Sequence, residues 1–213
     1  MRIAVAVVRL AVVAAVAAAV AATLVVSAAR GPVNPFNFFG YFTVQSNLLL
    51  AAVYLATALL ALRDRPVPRW LVVARAAATT YIVVVGVVYN TLLAGLAGGV
   101  ELAWANAVLH LVTPVHALLD WVLVADRGRL PWRVWGYLAV YPVVWLVVVL
   151  LRGAGDGWVP YPFLDPDRGY LTVAAYALAI AVVVMAAGAG VIALSRLAVG
   201  AAGGAGSAGR EPG

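Results

Sequence analysis

A hydroxyl, an imidazole and an amide stand out in a chain that is otherwise mostly hydrocarbon. Thr43 lies in 41-YFTVQSN-47, and His110 follows Asn106 by four residues in 104-WANAVLHLVTP-114. A threonine hydroxyl is a weak nucleophile at neutral pH and needs a base within hydrogen-bond reach, and histidine is the usual one. Residues four apart share a helix face, so the Asn106 amide is placed to bond one ring nitrogen of His110 and leave the other free as a base. Thr43, His110 and Asn106 thus form a nucleophile, base and orienter suited to hydrolysis of an acyl ester. The reaction also needs an oxyanion donor. Ser46, Asn47, Asn90 and Gln45 are candidates, and the spacing does not choose among them.

Two further ionisable residues sit on the same segment as His110. His116 and Asp120 are one helical turn apart and are expected to form a buried pair, with structural and chemical roles equally open. Asp120 cannot orient His110, because ten residues of helix separate them by about 15 Å. Nor do His110, His116 and Asp120 converge as three ligands must in a metal hydrolase, so no metal is expected. The two histidines, on different faces and about 9 Å apart, cannot clamp a haem between them. The chain has no cysteine, which excludes disulfides and thiolate chemistry. No cofactor is expected.

These residues must be positioned inside a membrane. Of 213 residues, 66% are hydrophobic and only 10% charged, against about a quarter charged in soluble domains. Six runs are long enough to cross: 3–29, 41–62, 70–97, 104–125, 134–151 and 170–195. The expectation is an all-α fold, a bundle of six transmembrane helices over residues 1–199, with a disordered Gly/Ala-rich tail over 200–213. All 14 basic residues are arginine. Eleven of them, including Arg9, Arg63, Arg75, Arg127 and Arg196, fall on one side, and only Arg30, Arg152 and Arg168 fall on the other. The positive-inside bias then puts both termini in the cytoplasm. Because the arginines lie between apolar runs, the net charge of +6 gives no nucleic-acid surface. The expected partners are membrane lipids and a lipid ester substrate, and oligomeric state is not encoded in any pattern here.

Several spans carry one polar seam. Thr43, Ser46, Asn47, Tyr54 and Thr57 share a face in the second; Thr79, Gly86 and Asn90 in the third; Asn106, His110, Thr113 and Asp120 in the fourth. The first has almost nothing polar and is expected to be peripheral. Thr43 and His110 both lie in the outer half, with His110 about 9 Å below Trp104, so an approach in space is feasible. On the outer side, 155-GDGWVPYPFLDPDRGY-170 is stiffened by prolines and rich in aromatics. Trp158, Tyr161, Pro162, Phe163 and Asp165 read as an interfacial cap, or as a lid over the outer mouth of the bundle.

Three patches, 41-YFTVQSN-47, 104-WANAVLHLVTP-114 and 158-WVPYPFLD-165, together resemble the androgen-induced/androgen-dependent family of six-span membrane proteins and its bacterial relatives. Members act as threonine hydrolases on fatty acid esters of hydroxy fatty acids. Tyr41-Phe42-Thr43 matches the family's Tyr-Leu-Thr, and Trp104, Asn106, His110 and Pro114 match its Trp-x-Asn-x-x-x-His run with a following proline. Trp158 to Asp165 matches its Trp-Val-Tyr-Pro-Phe-Leu-Glu loop. The chain departs from the pattern in placing Pro114 one residue early, in the extra Pro160, in Asp165 for Glu, and in Ala107 where the family has a second His. The resemblance implies Thr43 as nucleophile, His110 as base, and a multi-pass location in a bacterial plasma membrane. A non-catalytic membrane protein that binds or carries a lipid or small solute is the alternative.

Overall fold

The computed structural model describes residues 2–95 and 102–197, in which all regular structure is helical. The expected tail at 200–213 and residues 96 and 97 of the expected third run lie outside the described residues. Six helices are long and apolar enough to cross a membrane: α1 Arg2–Ala28, α2 Phe42–Leu62, α3 Arg69–Leu93, α4 Ala103–Leu123, α5 Val134–Gly155 and α6 Tyr170–Leu194. They agree with the six expected runs to within a few residues, and α5 continues one turn beyond the expected Leu151. Contacts among Arg2 and Asp64, Arg9 and Asp126, and Arg127 and the Leu194 carbonyl gather the start of α1 and the ends of α2, α4 and α6 at one end, here the lower end. The segment 156–169 crosses the opposite, upper end.

The core is built where three helices meet. Val12, Val16 and Ala19 of α1 pack with Leu50, Val53 and Tyr54 of α2 and with Ala78 and Ile82 of α3. Alanines and valines at these positions let the helix backbones approach closely, which is how apolar helices associate when lipid removes the hydrophobic drive. A lower cluster joins Val72 and Ala76 to Trp121, Leu138 and Ile192. An upper one seats Phe163 and Leu164 against Val149 and Val173. The outward faces of α5 and α6 stay apolar: Val140, Val143, Val147, Leu171, Leu178 and Val182 are all exposed. Such a surface suits a hydrocarbon solvent.

The first helix is not peripheral. Arg9, two turns in, is completely buried and makes hydrogen bonds to Asp120 and Asp126. Hydropathy averages hid it: one arginine among alanines and valines scarcely changes a window mean.

Two helices depart from regular α geometry at their upper halves. Tyr89–Leu93 closes α3 in a π-helical turn, and Val108–Val112 forms another inside α4. Pro114 explains part of the second. Its nitrogen carries no hydrogen, so the His110 carbonyl four residues earlier has no backbone donor. The Thr113 N–H reaches back to the Val108 carbonyl and so leaves the Leu109 carbonyl open as well. Single π-turns of this kind recur at functional sites.

Candidate active site

Thr43 is the second residue of α2, where helix N–H groups lack intrahelical partners. Tyr41, the N-cap, supplies no side-chain cap. The Thr43 N–H instead donates to the Tyr161 phenol oxygen at 3.3 Å, and Thr43 Oγ1 lies 3.4 Å from the same oxygen. Tyr161 is fixed by its neighbours. It stacks on Phe163 at 5.3 Å between ring centroids, meets Tyr41 edge-on at 5.7 Å, and lies 5.9 Å from the Trp145 ring. Burial pushes its phenol up to about 12.

His110 sits in the middle of the α4 π-turn and is 6% exposed. Its Nδ1 is 3.1 Å from the Asn106 carbonyl oxygen. A carbonyl only accepts, so Nδ1 carries the hydrogen and Nε2 keeps its lone pair. The orienting group is therefore the backbone of Asn106 rather than the expected side-chain amide. The amide acts one step further out. Its Nδ2 donates to the Tyr89 hydroxyl at 2.7 Å, and the Tyr89 ring stacks on the imidazole at 3.8 Å. Ring, carbonyl and amide together fix both the tilt and the tautomer of His110.

Asn47, Asn90 and Ser46 do not line the site; two of them brace it. Asn47 is fully buried and donates to the Thr43 carbonyl at 2.9 Å and the Leu109 carbonyl at 3.2 Å, while its oxygen accepts from Thr113 at 2.9 Å. One amide thus ties the backbone beside the threonine to the backbone beside the histidine. Asn90 donates to the His110 carbonyl at 3.2 Å, the group that Pro114 leaves without a donor, and to the Gly86 carbonyl at 2.7 Å. Gly86 permits this approach, since a Cβ there would lie 2.8 Å from the Pro114 Cβ. The Ser46 hydroxyl is buried and has no hydrogen-bond partner among the described residues.

Thr43 and His110 line one cavity of about 460 Å³, shared with Tyr89, Tyr161, Pro162 and Asp165. They are not hydrogen-bonded to each other, and catalytic hydrogen bonds are often long until substrate binds. Thr43, Tyr89 and Tyr161 also border a second, apolar crevice between α3, α5 and α6, walled by residues such as Pro142, Leu146, Phe163 and Ile180. Thr43 thus stands at the junction of a partly polar chamber and a hydrocarbon one. Of the expected lid, Tyr161, Pro162 and Asp165 face the chamber and Phe163 the crevice. Trp158 lies to the side: it covers the Arg152 guanidinium at 4.3 Å and abuts Gly40, where a Cβ would lie 2.5 Å from the indole.

His116 and Asp120 have other partners than each other. His116 Nδ1 is 3.3 Å from the Tyr54 hydroxyl. Asp120 accepts from Arg9 at 2.9 and 3.0 Å. Asp126 joins Arg9 at 2.7 Å and Arg75 at 2.6 Å. Arg9 and Arg75, read from the sequence only as orienting charges between apolar runs, lie inside α1 and α3, where an ionisable group is a signal in itself. This network is near the lower end, away from Thr43. Among the described residues no group of three His, Cys, Asp or Glu side chains converges on a metal position. Comparison with protein-family models, curated proteins and solved structures gives no match.

Proposed function

We propose that this chain is an intramembrane hydrolase of fatty-acyl ester lipids, with Thr43 as nucleophile and His110 as base. The observation that carries the proposal is that these two residues, from different helices, border one cavity, with Nδ1 of His110 held by the Asn106 carbonyl and no hydrogen bond to Nε2 among the described residues. In the reaction, Thr43 Oγ1 attacks the ester carbonyl carbon while His110 Nε2 takes its proton. His110 then returns that proton to the departing alcohol oxygen, leaving an acyl-threonine ester. Water, deprotonated by His110, attacks the acyl carbon, and Thr43 leaves with the proton. The apolar crevice beside Thr43 suits an acyl chain, and the chamber beside His110 suits the more polar part of the substrate. The arginine distribution supports both termini in the cytoplasm and hence the site in the outer leaflet, and the resemblance stated for the three sequence patches supports a bacterial plasma membrane. The resemblance to the androgen-induced/androgen-dependent hydrolases points to the same chemistry and to hydroxy fatty acid esters as substrates.

A second reading, lipid binding or carriage without turnover, draws on the absence of a hydrogen bond between Thr43 and His110. Hydrolysis of a long-chain hydroxy fatty acid ester by the purified protein in lipid nanodiscs separates the two. The esterase reading expects turnover by wild type, with Thr43→Ala inactive and His110→Ala reduced by about 10²–10⁴-fold. Wild-type turnover by Thr43→Ala, or tight lipid binding without any hydrolysis, contradicts it.

A further inference from the structure

An esterase site needs a donor aimed at the carbonyl oxygen as it gains charge, and the amides near Thr43 are all committed elsewhere. Asn47 and Asn90 bond carbonyls of α2, α3 and α4. The Gln45 amide donates to the Phe39 carbonyl, and its oxygen accepts from Tyr141. Ser46 is fully buried and off the cavity wall. Two donors lie against the Thr43 side chain: its own N–H and the Tyr161 hydroxyl, whose oxygen is 3.4 Å from Oγ1.

We propose that the Tyr161 O–H and the Thr43 N–H together form the oxyanion hole, so that Tyr161 is a catalytic residue of the proposed hydrolase. The inference rests on the esterase reading. The two donor atoms are 3.3 Å apart, so a single oxygen can sit about 2.8 Å from both. The phenol oxygen is 3.4 Å from Thr43 Oγ1, so a carbonyl carbon bonded to Oγ1 can direct its oxygen to the phenol side. In the resting site the phenol's lone pair accepts the Thr43 N–H, and its own hydrogen remains to donate. During attack the carbonyl π electrons move to oxygen, which accepts both hydrogen bonds; the phenol keeps its proton. Burial favours this by holding the phenol up at about 12. The 21-residue helix behind the Thr43 N–H adds the positive end of its dipole. The stacking of Tyr161 on Phe163 and its contacts with Tyr41 and Trp145 orient it before substrate arrives, which is what gives such donors their effect.

The test compares Tyr161→Phe with wild type and Thr43→Ala. Tyr161→Phe is expected to lower kcat about 10²–10³-fold with KM little changed. It should weaken a boronic acid transition-state mimic by a similar factor, and leave binding of a non-hydrolysable ether analogue as in wild type. A loss confined to KM, or wild-type kcat in Tyr161→Phe beside an inactive Thr43→Ala, overturns the oxyanion role and leaves the esterase reading standing. Activity in Thr43→Ala overturns both. Difluorotyrosine at position 161 gives an independent measurement should phenylalanine unfold the loop. Its more acidic phenol moves the alkaline fall of kcat to lower pH, whereas Tyr41, Tyr89, His110 and Asp165 on the same cavity, and Tyr141 behind it, are the same in both proteins. An alkaline limb that stays in place contradicts the proposal.

Discussion

Asn47 shows how much one side chain contributes when it is fully buried. Its amide satisfies two carbonyls and its oxygen one hydroxyl, each from a neighbouring turn or helix. Asn47→Leu removes all three bonds and leaves the Thr113 hydroxyl and the Leu109 carbonyl only their 3.3 Å bond to each other, so the expected destabilisation is about 1–3 kcal/mol, above the roughly 0.6 kcal/mol average of a single interhelical bond in a membrane. Unfolding by denaturant in mixed micelles measures it, and an unchanged midpoint contradicts the role. Asn106 makes a contrasting case. Asn106→Ala keeps the carbonyl that holds His110 but releases the Tyr89 hydroxyl, so a smaller loss of turnover is expected than for His110→Ala, with folding intact. From sequence, i to i+4 spacing linked Asn106 to His110, but spacing alone does not separate a side-chain amide from the carbonyl of the same residue. Tyr161 was legible as part of a stiff aromatic loop; that its hydroxyl meets Thr43 depends on how 156–169 folds back over α2, which no local pattern encodes.

The π-turns decide what α3 and α4 present to the site. A strict 100° progression put His110, Thr113 and Asp120 on one stripe with Asn106. The extra residue in the turn at Val108–Val112 breaks that phase and frees carbonyls for Asn47 and Asn90 to bond. Pro114 was visible in the sequence, yet its consequence was not, because the orphaned carbonyl is met by another helix. Pro114→Ala restores an N–H four residues after His110 and permits a regular α-turn. The variant should fold with His110 misplaced, so that kcat falls while the melting temperature holds or rises; undiminished kcat contradicts this. At the facing position, Gly86→Ala pushes a methyl group to 2.8 Å from the Pro114 Cβ, and the expected cost is about 1–3 kcal/mol.

Over the whole molecule, hydropathy specified the six-helix frame, because each helix needs a long apolar run and the runs are separated by short polar links. It did not specify which helices touch. That depends in part on four charges, Arg9, Arg75, Asp120 and Asp126, which join α1, α3, α4 and the segment after α4 near the lower end. Removing one member leaves a buried charge uncompensated, so Arg9→Met should cost about 3–5 kcal/mol, with less lost when Asp120→Leu accompanies it. A double variant less stable than Arg9→Met contradicts this. The same network makes stability depend on pH. Burial raises the Asp126 carboxyl, but Arg9 and Arg75 outweigh it and hold the group below its ordinary value. The unfolded chain then binds more protons than the folded one, so this contribution is present above about pH 3.9 and is lost as pH falls from there through the lower folded value. Acid denaturation of wild type should therefore begin near that pH, and Asp126→Asn should flatten the dependence.

In the proposed hydrolase Thr43 carries the attacking oxygen and His110 activates it. Labelling of the protein in native membranes with a fluorophosphonate probe, followed by mass spectrometry of the modified peptide, measures this most directly. The expected result is one adduct, on Thr43, absent in Thr43→Ala and strongly slowed in His110→Ala. An adduct on another residue, or equal labelling of Thr43→Ala and wild type, would contradict it.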